Sequence, residues 1–253
     1  MSAPVLTVAH VDAERGFSGG ETQVFLLMEK LRALGWRSVL CAPPGSESER
    51  RARERGIEFR AVPMRSDLDG PAVLALAAEF RFSGAALAHL HTGRATWLGG
   101  WAARMAAVPA ITTRRMDREV KPGLRTRLVH GTLTQRSVAI SPAVAERLQA
   151  GGVEAARISL VPSAVDPAAL RPRRARDAVR AELGTPPGSA VVLALGALVP
   201  RKGHDVLLEA LARLAGEDLR PQCWIAGEGP ERAALERRAA ELGLEDTLRL
   251  LGQ

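Results

Sequence analysis

The stretch Val191-Val192-Leu193-Ala194-Leu195-Gly196-Ala197-Leu198-Val199-Pro200-Arg201-Lys202-Gly203-His204-Asp205 decides the fold. An apolar strand runs into a loop with adjacent cations, and Val206, Leu207, Leu208, Ala210 and Leu211 then follow at helical spacing. A helix opening straight after a strand sets free N–H groups and the positive dipole end at the mouth of the loop, which suits an anion. Arg201 and Lys202 would close over a phosphate there, the guanidinium as a fork and the ammonium as a point charge. Lysine is scarce, with Lys30, Lys121 and Lys202 against many arginines, so a lysine at this place is informative. Taken alone, the pair reads equally well as two solvated surface charges.

Outward from this stretch, short apolar runs alternate with helical patterns, as in parallel sheets wrapped by crossover helices. The first half predicts strands at Val5 to Ala9, Ser38 to Cys41, Phe59 to Val62, Ala86 to Leu90, Ala110 to Thr112, Ser137 to Ile140 and Ile158 to Val161. Helices are expected near 20–34, 47–55, 71–81, 95–107 and 122–134, and at 143–150 behind the serine cap and first-turn proline of Ser141-Pro142. Residues 162–189, rich in Pro, Arg and Ala, break the alternation. The expected organisation is therefore a first domain at 1–165, a linker at 166–189 and a partial second domain at 190–253. Within that second domain, strands at 190–196, 222–226 and 247–251 flank helices at 204–215 and 230–242, about half of a doubly wound nucleotide domain.

The 253 residues are 46% hydrophobic and 25% charged, the balance of a globular chain with a real core. No apolar run reaches the roughly 18 to 20 residues of a membrane span, and no basic region with an apolar core opens the chain, so a soluble, cytoplasmic protein is expected. Cys41 and Cys223 stand far apart in apolar strands and read as buried thiols. The net charge of +7 comes with no Tyr and no Asn, and its arginines are interspersed with glutamate, as in Glu49-Arg50-Arg51-Ala52-Arg53-Glu54-Arg55. Such a pattern disfavours nucleic acid as a partner. Association with an anionic membrane surface stays open.

The first loop opens its helix with Gly16-Phe17-Ser18-Gly19-Gly20-Glu21-Thr22 at the carboxyl end of strand one, where α/β sheets bind ligands. Its spacing is not G-x-G-x-x-G, and strand two ends in Cys41-Ala42-Pro43 without an acidic residue, which argues against a nicotinamide cofactor. Alternation sets His89 and His91 on one face at a strand end. A metal reading needs further ligands, and the sequence presents no cluster to supply them. His89 reads as a core histidine and His91 as the ring placed to reach a ligand. The next strand ends in Thr112-Thr113-Arg114-Arg115, and Ile225-Ala226-Gly227-Glu228-Gly229-Pro230 forms a tight strand-to-helix turn.

Together these segments resemble the family 4 retaining glycosyltransferases, from about residue 5 to the last residue. The resemblance implies a GT-B fold, two Rossmann-like domains facing across a cleft, and sugar transfer from a nucleoside-diphosphate donor with retention at the anomeric carbon. It assigns Arg201 and Lys202 to the donor diphosphate, Gly19, Gly20, Gly196, Gly227, Glu228 and Gly229 to the donor side, and His91 to the donor sugar. Glu21, Arg114 and Arg115 fall on the acceptor side, and the Thr-Arg-Arg run is similar to that of relatives with lipopolysaccharide-type acceptors. The acceptor is accordingly expected to be a glycan or glycolipid of the cell envelope. Ser163-Ala164-Val165-Asp166 departs from the family's Asn-Gly-Val-Asp turn.

The family's paired glutamates, eight positions apart, come after the point where this sequence stops, so the resemblance implies that residues 1–253 alone are inactive. No cofactor is expected, and no Asp-x-Asp carboxylate motif is assigned to a divalent metal. Two other readings remain: a non-catalytic module for nucleotide sugar or phosphate, and a nucleotide-sugar epimerase of the same fold, which would need carboxylates at the site.

Overall fold

The computed structural model describes residues 5–217 and 219–252, so the expected domain ends at 1 and 253 lie outside the described residues. Two compact units part between Asp166 and Pro167. The first runs β1 (Thr7–Val11), α1 (Gly19–Ala33), β2 (Arg37–Ala42), α2 (Glu47–Glu54), β3 (Glu58–Ala61), α3 (Gly70–Phe82), β4 (Ala85–Leu90), α4 (Gly93–Ala106), β5 (Ala110–Arg114), α5 (Leu124–Arg127), β6 (Arg136–Ala139), α6 (Pro142–Ala150) and β7 (Ile158–Leu160). Its seven strands lie in the order β3-β2-β1-β4-β5-β6-β7, every pairing parallel. This is the doubly wound arrangement, with the reversal of strand order beside β1.

Alternation along the strands splits the core in two. Ala9 and Val11 of β1, Val39 and Cys41 of β2 and Leu90 of β4 pack under α3 and α4, whereas Leu40 and Ala42 turn to Val24, Phe25 and Met28 of α1. Helix α4 packs closely because it carries Gly99 and Gly100: a Cβ on Gly99 would stand 2.6 Å from Leu90 Cδ2 of the sheet, and one on Gly100 would stand 2.8 Å from Leu133 Cβ. Side-chain caps fix where the crossovers begin. Ser46, Asp69, Thr92 and Ser141 each accept an N–H of the first turn of α2, α3, α4 and α6.

The second unit contains α7 (Arg176–Glu182), β8 (Val191–Leu195), α8 (His204–Gly216), β9 (Gln222–Ala226), α9 (Arg232–Glu241) and β10 (Leu248–Gly252). Its three parallel strands lie in the order β10-β9-β8 over a core of Leu198, Leu208, Leu211, Cys223, Ile225 and Leu235. Cys41 and Cys223 are both free thiols with no exposed surface. Among the described residues no helix is long and apolar enough to cross a membrane.

Three details differ from the sequence reading. Strand one begins at Thr7, because Val5 and Leu6 are exposed. The expected helix at 122–134 is only the short α5, followed by a π-helical turn over Leu128–Leu133. Gly131 weakens the α form inside that turn, and the Thr134 N–H and hydroxyl both reach back to the Val129 carbonyl. The segment at 166–189 is not wholly irregular, since α7 forms inside it.

Candidate functional site

In the first unit, the carboxyl ends of β1, β4 and β5 bring a polar group into the interior. Residues two apart share a face, so His10 of β1 stands beside its register partner His89, with His91 one step further on. All three rings are buried, at 0%, 7% and 5% exposure. His10 Nδ1 lies 3.0 Å from His91 Nε2, His89 Nε2 lies 2.7 Å from Thr113 Oγ1, and the His89 and His91 ring centres are 4.1 Å apart. Burial pushes His10 down to about 3 and holds His89 and His91 well below the ordinary imidazole range, so the rings are neutral near pH 7.

This cluster corrects the expectation that no third histidine joins the pair. The ligand-capable nitrogens of His10, His89 and His91 all lie within 4.8 Å of one another. The missed signal was positional: His10 is the next-to-last residue of β1, and β1 adjoins β4 in any doubly wound sheet of this order. The Asp-x-Asp spacing also occurs, as Asp67-Leu68-Asp69. Both carboxylates are engaged elsewhere: Asp69 accepts the Ala72 and Arg65 N–H groups, and Asp67 pairs with Arg125 at 2.7 Å.

Arg115 leans across the cluster. Its Nη1 donates to the His91 carbonyl at 3.3 Å, its Nη2 stands 3.3 Å from His91 Nδ1, and its Cδ lies 3.6 Å from where a Gly20 Cβ would be. Arg114 points the other way, as alternation requires, donating to the Arg118 carbonyl and depressing His130, which burial and that charge hold at about 4. The two guanidiniums that the resemblance assigned to the acceptor side are thus on opposite faces. Asp12 is 1% exposed and accepts the Glu14 N–H at 3.1 Å; burial pushes its carboxyl up to about 7, with Glu21 and Glu14 adding to the rise and Arg115 opposing it.

Helix α1 starts at Gly19-Gly20 behind Ser18, with the reciprocal bonds of a capping box: Glu21 Oε2 accepts the Ser18 N–H at 2.6 Å. Glu21 therefore caps α1. His91, expected to reach a ligand, is buried with both ring nitrogens in contact with protein groups.

In the second unit, the loop after β8 and the loop after β9 are knitted together. Gly196 N–H donates to Ala226 O, Leu198 N–H to Glu228 O and Glu231 N–H to Leu198 O, at 2.9 to 3.1 Å. The glycines permit this approach: a Cβ on Gly227 would stand 1.9 Å from Gly196 O, and one on Gly229 would stand 2.3 Å from Leu198 O. Glu228 turns its side chain toward Arg232 at 3.8 Å.

Arg201 and Lys202 form a 3-10 turn, Pro200–Lys202, ahead of α8, and both are exposed. The Lys202 stem lies over Gly196, and Gly203 at φ 65 reverses the chain into α8. Among the described residues no side chain caps α8, which leaves first-turn N–H groups without a side-chain acceptor just after the two cations in sequence. Arg201, Lys202, Gly196, Gly227, Glu228 and Gly229 are thereby gathered at one end of the second sheet, while Gly19, Gly20, Glu21, His91 and Arg115 gather at one end of the first.

Comparison with known proteins adds an independent line. Residues 17–169 match the family described as Glycosyltransferase Family 4, and residues 175–253 match Glycosyl transferases group 1. The chain is 42% identical over 73 residues to the lipopolysaccharide core biosynthesis glycosyltransferase LpsE of Rhizobium meliloti, a match that takes in 29% of this chain and 20% of that relative. Among solved structures, a glycosyltransferase from Rickettsia africae superposes with a TM-score of 0.82 at 19% identity, over 99% of this chain and 69% of the other. Anabaena HepE, solved with UDP-glucose, gives 0.81 at 17% identity, over 98% and 69%. The fold is that of GT-B glycosyltransferases, and with most of its length matched by the family the chain belongs to glycosyltransferase family 4.

Proposed function

We propose that this chain carries the donor-diphosphate grip and the acceptor-side unit of a retaining glycosyltransferase that moves a sugar from a nucleoside-diphosphate donor to a cell-envelope glycan or glycolipid. The observation that carries this reading is the loop before α8. Two cations, Arg201 and Lys202, stand there without an acidic partner among the described residues, beside uncapped helix N–H groups. Departure of a nucleoside diphosphate builds negative charge, and donors fixed beforehand at that place stabilise it most where it develops. HepE, with the same fold, was solved with UDP-glucose, which supports a nucleotide-sugar donor here. The relation to LpsE supports an acceptor in the cell envelope.

For residues 1–253 we propose donor binding without sugar transfer. The chain would work in the cytoplasm and touch the inner membrane face. Met116 and Leu124 are exposed in a segment that also bears Arg118, Lys121, Arg125 and Arg127, a mixture suited to an anionic lipid surface.

Calorimetry with UDP, GDP, ADP and NAD tests the grip. A nucleoside diphosphate should bind weakly, with no preference for NAD, and Arg201→Ala with Lys202→Ala should abolish the heat. Tight binding of NAD alone, or a double variant that binds like wild type, would overturn the reading.

A further inference from the structure

The buried histidines form a hydrogen-bonded chain whose direction is set from one end. A guanidinium has donors and no acceptor, so at the contact between Arg115 Nη2 and His91 Nδ1 the imidazole nitrogen must accept. A neutral imidazole that accepts at Nδ1 carries its proton on Nε2. That Nε2–H is then the donor across the 3.0 Å contact to His10 Nδ1. His10 in turn must hold its proton on Nε2, and that nitrogen is buried without a hydrogen-bond partner among the described residues. The opposite polarity would require His91 to accept at both nitrogens, as an imidazolate.

We propose that Arg115 is a positioning residue that locks His91, and through it His10, in the Nε2–H tautomer. This goes beyond an acceptor contact. The second Nη donates to the His91 main-chain carbonyl, so one side chain fixes both the ring and the backbone of the residue that follows β4. The Arg115 stem passes Gly20 at the start of α1, while Asp12 and Glu21 are the carboxylates that favour its charge. The lock also answers the metal question. With His91 Nδ1 facing a cation and His91 Nε2 protonated toward His10, two of the three rings cannot turn lone pairs to a common ion without displacing Arg115. The cluster is a tautomer relay. Its functional use rests on the reading of His91 as a site residue, but the protonation pattern does not.

Long-range proton–nitrogen correlation spectra of the uniformly nitrogen-15-labelled chain read the tautomers directly. In the wild type, His91 and His10 should both show a protonated Nε2 and a lone pair on Nδ1. Arg115→Met should shift His91 toward the other tautomer, and Arg115→Lys, which keeps a donor, should restore the wild-type pattern. A wild-type His91 protonated on Nδ1 would overturn the proposal even if the variants fail to fold. So would an unchanged pattern in Arg115→Met, or stoichiometric Co2+ binding with a tetrahedral spectrum that His10→Ala removes. Nucleotide calorimetry is a separate measurement, so failure of the donor grip and failure of the lock are distinguishable.

Discussion

The Lys202 side chain runs over Gly196, its Cε 3.4 Å from where a Cβ on that glycine would stand. The glycine that follows β8 thus sets the height at which the ammonium crosses the loop. Gly196→Ala should lift that stem and weaken nucleoside-diphosphate binding by about tenfold, about 1.4 kcal/mol. Calorimetry on the variant checks it, and unchanged affinity would show that Lys202 does not grip the diphosphate from this position.

In a transferase containing this unit, removal of Arg201 or Lys202 should act mainly on turnover. Loss of one preorganised charge at a leaving diphosphate costs about 2 to 4 kcal/mol of transition-state stabilisation. The effect should appear in kcat with a smaller change in KM. Kinetics like the wild type in both alanine variants would remove these residues from the site.

Acid should destabilise the first unit early. Burial holds His10 at about 3, His130 at about 4, and His89 and His91 well below their ordinary value, whereas in the unfolded chain all four titrate near 6.5. Below that pH the unfolded state takes up protons that the native state refuses. The contribution of these rings is therefore fully present above about 6.5 and falls toward pH 4, by about 1.4 kcal/mol per pH unit for each such ring at most. Urea melts of Asp12→Asn at pH 7 and pH 5, which leave out the opposing carboxyl, measure the slope, and coincident melts would mean that the rings accept protons in the fold.

Asp12 has the opposite sign. Its carboxyl is raised to about 7 from 3.8, so the unfolded chain ionises first as pH rises and stability is lost between those values. Asp12→Asn should therefore stabilise the protein more at pH 8 than at pH 5. An equal gain at both would mean that the carboxyl ionises normally.

Gly229→Ala should destabilise the second unit selectively, by about 1 to 3 kcal/mol, because the added carbon meets a main-chain carbonyl that cannot swing aside as a side chain could. Hydrogen exchange would show β8 and β9 losing protection while β1 and β4 keep theirs. Equal loss in both units would mean that they unfold together.

The alternation of apolar runs and helical spacing revealed ten strands and most helices because parallel strands buried on both faces and capped crossovers leave local marks. Ser141-Pro142 at the start of α6 is such a mark. The π-turn at Leu128–Leu133 was not legible, since it turns on one added residue in a helix that otherwise keeps its spacing. The cations before α8 could be read from sequence because strand, loop and helix are consecutive. The contact between His10 and His91 spans 81 positions and follows from strand order and register together, neither of which is written in either segment. The opposed directions of Arg114 and Arg115 were accessible from strand alternation alone.

Each unit encloses a single cysteine, Cys41 in the first and Cys223 in the second, both shut off from solvent, with burial raising both thiols and Cys223 to about 11. Neither sulfur can meet an alkylating reagent until the fold around it opens. The molecule therefore has a chemical clock in each half: the rate at which Cys41 is modified reports the opening of the seven-stranded sheet, and that of Cys223 the opening of the three-stranded one. Mass spectrometry of the two peptides would time both in one tube, without any engineered label.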